Sequence, residues 1–152
     1  MGTTPVSLGD PLPDDTIVFR AFSYKGHRQR TPPKVRPLAY IRAQDHIDGL
    51  SLGRTPEAAV AGLDLNYGYC SIRVRDIRTL TDIHKLPYKL EVRPDLNDPD
   101  HFVLCNLPIV SESDEAREWA QFIAGRLAKL STPQCFDHYP PSPSEELPTQ
   151  SA

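Results

Sequence analysis

The sequence predicts an α+β domain, a mixed or antiparallel sheet of roughly five strands with a long C-terminal helix packed on one face. Short apolar runs alternate at period two, most cleanly over Cys70 to Val74, as in half-buried strands. One longer run, residues 113 to 130, repeats its apolar side chains at spacings of three and four, as in an amphipathic helix. No internal repeat or sustained heptad accompanies these patterns, so a solenoid or coiled coil is not expected.

Thr16 to Tyr24 opens the order of elements, because its β-branched and aromatic residues favour a strand. Alternation puts Ile17, Phe19 and Ala21 on one face and Val18, Arg20 and Phe22 on the other. The following KGHRQRTPPKVRP, with its prolines and basic residues, reads as an exposed loop. Leu38 to Arg42 is expected as a second short strand, and Asp48-Gly49 as a turn into LSLG. Thr55, Pro56 and Glu57 provide an N-cap, a proline at the first helical position and an acid in the first turn, which predicts a short helix over Pro56 to Leu63.

After the Cys70 to Val74 strand, Asp76 to Leu80 reads as a helical turn. Strands are expected around Lys89 to Arg93 and over Phe102 to Leu107, separated by the turn-rich DLNDPD. In the last helix, Ser111 with Asp114, or Ser113 alone, supplies the cap. Ala116, Trp119, Ile123, Leu127 and Leu130 form its apolar stripe, and Thr132-Pro133 stops it.

The 152 residues suit one domain. The 16 prolines are about twice the average share, so they belong in loops and ends. Residues 1 to 14 and 132 to 152 lack periodicity and are expected to be disordered, leaving residues 15 to 131 as the folded unit. The PPSP in the second of these ends is a weak polyproline signal.

No run reaches the ~18 apolar residues that cross a bilayer, and the N-terminus has neither the basic nor the apolar part of a signal peptide. Cys70, Cys105 and Cys135 are widely spaced without a CxxC pair, and the first two sit in apolar runs as buried thiols. A cytoplasmic protein is the expectation.

The net charge of −3 is unevenly spread. Residues 16 to 44 hold no acid but carry Arg20, Lys25, Arg28, Arg30, Lys34, Arg36 and Arg42, which favours an anionic partner, either a nucleotide or nucleic-acid phosphate or an acidic protein surface. Dinucleotide-binding, Walker, zincin and GxSxG signatures are all missing from the sequence. Asp45, His46 and Asp48 offer three potential metal ligands in four residues, but a solvated turn accounts for them better, because neighbouring side chains on an extended strand diverge.

Three residues stand out. Arg20 is a guanidinium in a hydrophobic strand and needs an anion or a rim position. An internal ion pair, with Asp14 or a helix acid, is its bland alternative. Ser51 ends a strand ahead of the capped helix and can hydrogen-bond a sugar or phosphate, or serve as an ordinary turn serine. His101 enters the last strand from a loop and can act on a phosphate or in catalysis, although most lone histidines are structural.

The order of strand with arginine, basic loop, GLS, TPEAA helix and CSIRV strand resembles the front half of ADP-ribosyltransferase-like folds. That resemblance implies Arg20 and Ser51 lining an NAD cleft with a downstream glutamate, for which Glu91 is the nearby strand candidate. DGLSL, SIRVRDIRTL and HFVLCNLP, followed by an acidic amphipathic helix, also resemble a family of small uncharacterised proteins common in cyanobacteria. Asp48, Gly49, Leu50, Ser51, Ser71, Ile77, Arg78, Leu80, His101, Leu107 and Pro108 carry that match, while Phe102 departs from it.

Three functional classes follow. The first is an ADP-ribosyltransferase-like or nucleotide-phosphate-binding protein using Arg20 and Ser51 with His101 as a catalytic group, the cofactor unknown. The second is a nucleic-acid-binding module built on residues 20 to 42, and the third a non-catalytic protein-interaction domain.

Overall fold

The computed structural model describes residues 7–42 and 49–141. The elements in chain order are β1 (Ile17–Ala21), β2 (Arg28–Gln29), β3 (Lys34–Val35), β4 (Leu50–Gly53), α1 (Pro56–Val60), β5 (Tyr69–Arg73), α2 (Val74–Ile83), β6 (Glu91–Asp95), β7 (Asp98–Cys105), α3 (Asp114–Leu130) and β8 (Thr132–Cys135). The α+β expectation holds. Six strands form one antiparallel sheet in the order β6-β7-β4-β1-β5-β8, and β2 and β3 form a separate short hairpin.

One face of the large sheet builds the core. Register pairs Val18 with Ile72, Leu50 with Leu104, Leu52 with Phe102 and Val92 with Leu104, so these apolar side chains project together. Ile77 of α2 and Ile123, Ala124, Leu127 and Ala128 of α3 close over them. Ser113 caps α3, its Oγ accepting the Ala116 N–H at 3.0 Å, with Asp114 and Glu115 in the first turn and Lys129 in the last. These are the partners the orphan backbone groups and the helix dipole call for.

The opposite face receives α1. Thr55 Oγ1 accepts the Ala58 N–H at 3.1 Å, and Pro56 follows. Gly53 lets α1 lie directly on the sheet, since a Cβ there would come within 2.6 Å of the Ala59 Cα. Gly49 (φ +137°) crosses closely over the Leu104 carbonyl in a conformation that L side chains rarely adopt.

Several segments differ from the sequence expectation. Residues 37–40 form a 3-10 helix in place of the strand expected over Leu38 to Arg42. Pro37 starts it with a fixed φ, and it turns Ala39 and Tyr40 inward while Leu38 stays exposed. The basic loop is partly folded, with the β2–β3 hairpin and a buried His27. The turn after Cys70–Arg73 is longer than expected, because Val74 begins a ten-residue helix. In DLNDPD only Leu96 and Asn97 lie between strands, since β7 already starts at Asp98.

The described parts of the two ends, residues 7–14 and 132–141, carry backbone pairing not expected of them. Residues 7–12 run along β6, where Gly9 N donates to Pro94 O and Leu12 N to Val92 O, each at 2.9 Å. Within the 132–152 segment, β8 pairs with β5 and Phe136 stacks on the core residue Phe22 at 6.1 Å. A short polar strand completes a sheet edge through backbone bonds that composition does not report. Among the described residues no helix is long and apolar enough to cross a membrane. Cys70 and Cys105 are both buried, as expected of cysteines in apolar strands.

Candidate functional site

β6, β7, β4 and β1 are consecutive neighbours in the sheet and carry Asp95, His101, Ser51 and Arg20; Arg20 pairs with the core residue Cys70 and so starts from the face opposite Ser51, reaching it at the gap between β1 and β4. Ser51 is the exposed position between buried Leu50 and Leu52, so the pleat puts it on the α1 side. His101 lies opposite Gly53, two residues along from Val103, the partner of Ser51. It therefore stands on the same face, diagonal to the serine, with no side chain at Gly53 to separate them.

The ring bridges its neighbours. Ser51 Oγ is 3.0 Å from His101 Nε2, and His101 Nδ1 is 3.0 Å from Asp95 Oδ2. Asp95 is nearly buried and turns toward the ring at a register shift between Pro94 and Asp95. Its Oδ1 accepts the Asn97 N–H at 2.8 Å. The hydrogen bond from His101, followed by that from Asn97, holds the Asp95 carboxyl below the usual carboxylate range.

An ionised carboxylate only accepts, so Nδ1 carries the ring proton of neutral His101. Nε2 then offers its lone pair to the Ser51 hydroxyl. This is the arrangement of a nucleophile, a base and a group that orients the base.

Arg20 occupies the place where β1 and β4 part, the two strands being paired only at Phe19 and Gly53. Its Nε donates to Ala39 O at 2.8 Å and its Nη1 to Ser51 O at 2.9 Å. These are carbonyls. The carboxylate considered from the sequence, Asp14, pairs with Arg78, and no acid pairs with Arg20 among the described residues. Burial lowers the Arg20 pKa, and a guanidinium keeps its charge in proteins.

Two shallow hollows meet at Ser51. One, of about 250 Å³, lies between Arg20, Ser51, Ala59 and Gly62. The other, of about 300 Å³, lies between Ser51, His101, Asp98, Asp100 and Ala58. Ala59 and Ala61 border both. Their small side chains keep the Ser51 hydroxyl open to solvent.

Arg20, Ser51 and His101, singled out in the sequence, thus come together. Glu91 does not join them, being engaged with Arg78 at 3.0 Å. The Asp45, His46 and Asp48 cluster lies outside the described residues. Among the described residues no group of histidine, cysteine and acidic side chains is placed to hold a metal ion. Asp95 is the member that sequence reasoning missed. The available signal was the tight turn at Leu96 and Asn97, which brings Asp95 and His101 across one hairpin.

No family model matches the chain, and neither a curated protein nor a solved structure matches it.

Proposed function

We propose that the chain is a serine-nucleophile acyl-transfer enzyme, hydrolytic when water is the acceptor, acting on a small ester or amide with an anionic group. The hydrogen-bonded series Ser51–His101–Asp95 carries this reading.

Ser51 Oγ attacks the carbonyl carbon while its proton passes to His101 Nε2. The carbonyl electron pair moves onto oxygen. When that pair returns, the bond to the leaving group breaks and the leaving group takes the proton from His101. Water then attacks the acyl-Ser51 carbonyl and gives a proton to Nε2. Collapse releases the carboxylic acid and returns the proton to Ser51. Asp95 fixes the ring tautomer and stabilises the imidazolium formed in each half. Arg20 supplies the positive charge for the anionic group in its own hollow, away from Asp98 and Asp100.

The test is labelling by a fluorophosphonate probe together with hydrolysis of small nitrophenyl esters. Both should occur in the native chain and disappear in Ser51→Ala. Absence of both from the folded native protein overturns the reading.

Arg20 favours a second reading, in which the same residues bind a nucleotide phosphate without covalent chemistry, including the ADP-ribose portion of NAD expected from the ADP-ribosyltransferase resemblance. Calorimetry with NAD and ADP-ribose discriminates. Binding lost in Arg20→Gln, without probe labelling, supports this second reading.

A further inference from the structure

We propose that the face around the β2–β3 hairpin is a binding site for the phosphodiester backbone of single-stranded nucleic acid, separate from the Ser51 site. Lys25, Arg28 and Arg36 surround an open hollow with Gln29, Pro37 and Leu38. None of these three cations makes an ion pair with a described residue. Elsewhere Arg75, Arg78 and Arg117 are matched with Asp15, Asp14 and Glu91, and Asp114. Around this hollow, among the described residues, Arg30 alone has a carboxylate partner, Asp137.

The chain has a net charge of −3, yet its first third gathers cations with no acid between residues 16 and 44. A cluster of unmatched cations repels itself and is stabilised by a polyanion.

The hollow also has fixed geometry. Arg28 Nε donates to Phe136 O and its Nη1 to Lys25 O, both at 3.1 Å, and the guanidinium lies over the Tyr67 ring at 5.4 Å. Its remaining terminal nitrogen donates to no described residue. Arg36 Nη1 is held by Gln29 Oε1 at 3.3 Å. Two guanidinium groups held in place lose less freedom on meeting phosphates than free lysines do.

Tyr24 decides between single-stranded and duplex nucleic acid. It precedes Lys25 directly and is 66% exposed, its ring meeting His27 edge-to-face at 5.2 Å. An exposed aromatic ring beside a cationic groove offers a stacking surface to an unpaired base. A base inside a duplex cannot use it.

The experiment is fluorescence anisotropy of the full chain with labelled 12-nucleotide oligo-U RNA, oligo-dT and a duplex of equal length. Three phosphate contacts predict a salt slope of about −2, and hence a roughly 20-fold loss of single-strand affinity between 50 and 200 mM salt. Lys25→Ala and Arg36→Ala should each weaken binding and flatten the slope by about 0.7. Tyr24→Ala should weaken single-strand binding at least ~5-fold while leaving the slope unchanged. Arg117→Ala, on α3, should leave binding as it is, and so should Ser51→Ala. Preference for RNA or DNA among the single strands identifies the source. Equal or tighter duplex binding, no single-strand binding at 50 mM salt, or insensitivity to both Lys25→Ala and Arg36→Ala in variants that melt like the native chain overturns the proposal.

Discussion

Asp95 and His101 face each other across a hairpin whose two strands are separated by two residues, Oδ2 standing 3.0 Å from Nδ1. The carboxylate and the imidazole are therefore set by the same local turn, while the serine comes from a strand some fifty residues earlier in the chain.

Replacing Asp95 by Asn tests what that hairpin provides. The amide fills the same volume but removes the charge that holds the proton on Nδ1, so His101 loses its preference for presenting a lone pair to Ser51. Ester turnover should fall by about 10³- to 10⁴-fold while the melting temperature changes little. Steady-state kinetics beside thermal unfolding measures both; an unchanged rate contradicts the role given to Asp95.

Gly53→Ala should act on the site through shape. The new Cβ would meet the Ala59 backbone within 2.6 Å, and backbone cannot step aside as a flexible side chain can. The helix must lift from the sheet. A loss of about 1–3 kcal/mol in urea-monitored stability is expected, together with weaker probe labelling of Ser51.

His27 gives the protein a pH-dependent stability. Burial, aided by the positive charge of Arg20, lowers its pKa to about 4, and its Nδ1 accepts the Ser23 N–H at 3.3 Å. An unfolded histidine titrates near ~6.5. Between these values the unfolded chain binds a proton that the folded chain refuses, so stability falls as pH drops from about 6.5 toward 4. The full gap amounts to about 3 kcal/mol. In His27→Asn, whose amide oxygen can take over the Ser23 bond, denaturation series should lose this part of the slope. An unaltered slope would contradict the assignment.

Ending the chain after Ser131 should be destabilising. That position follows the last turn of α3 and looks safe from composition, yet the cut removes β8, the Phe136 ring stacked on Phe22 and the Arg30–Asp137 pair. About 2–4 kcal/mol should be lost, and the uncovered β5 edge should raise the tendency to associate. Urea titration and light scattering of the shortened chain check the two effects.

Elements whose signals are local are legible in the amino-acid sequence. The Thr55-Pro56-Glu57 start of α1, the Ser113 cap and apolar stripe of α3, and the alternation in β1 and β5 each involve residues only a few positions apart. What stays hidden there depends on remote partners. Thr132 to Cys135 is a strand because β5 offers free backbone groups, and residues 7–12 are ordered because β6 does. The same division runs through the site. Arg20 and Ser51 are chemically odd in their surroundings, whereas Asp95 sits within a turn-like string of polar residues. Its importance arises from the register shift that turns it toward His101.

The missing side chain at position 53 has one more consequence. Because only a hydrogen stands where a Cβ would come within 2.6 Å of the Ala59 Cα, α1 rests closely on the sheet beside Ser51. Guests enter beside a helix whose distance from the strand is set by that hydrogen. A lineage seeking bulkier ones would have to rebuild the α1 connection rather than trim any residue lining the cleft.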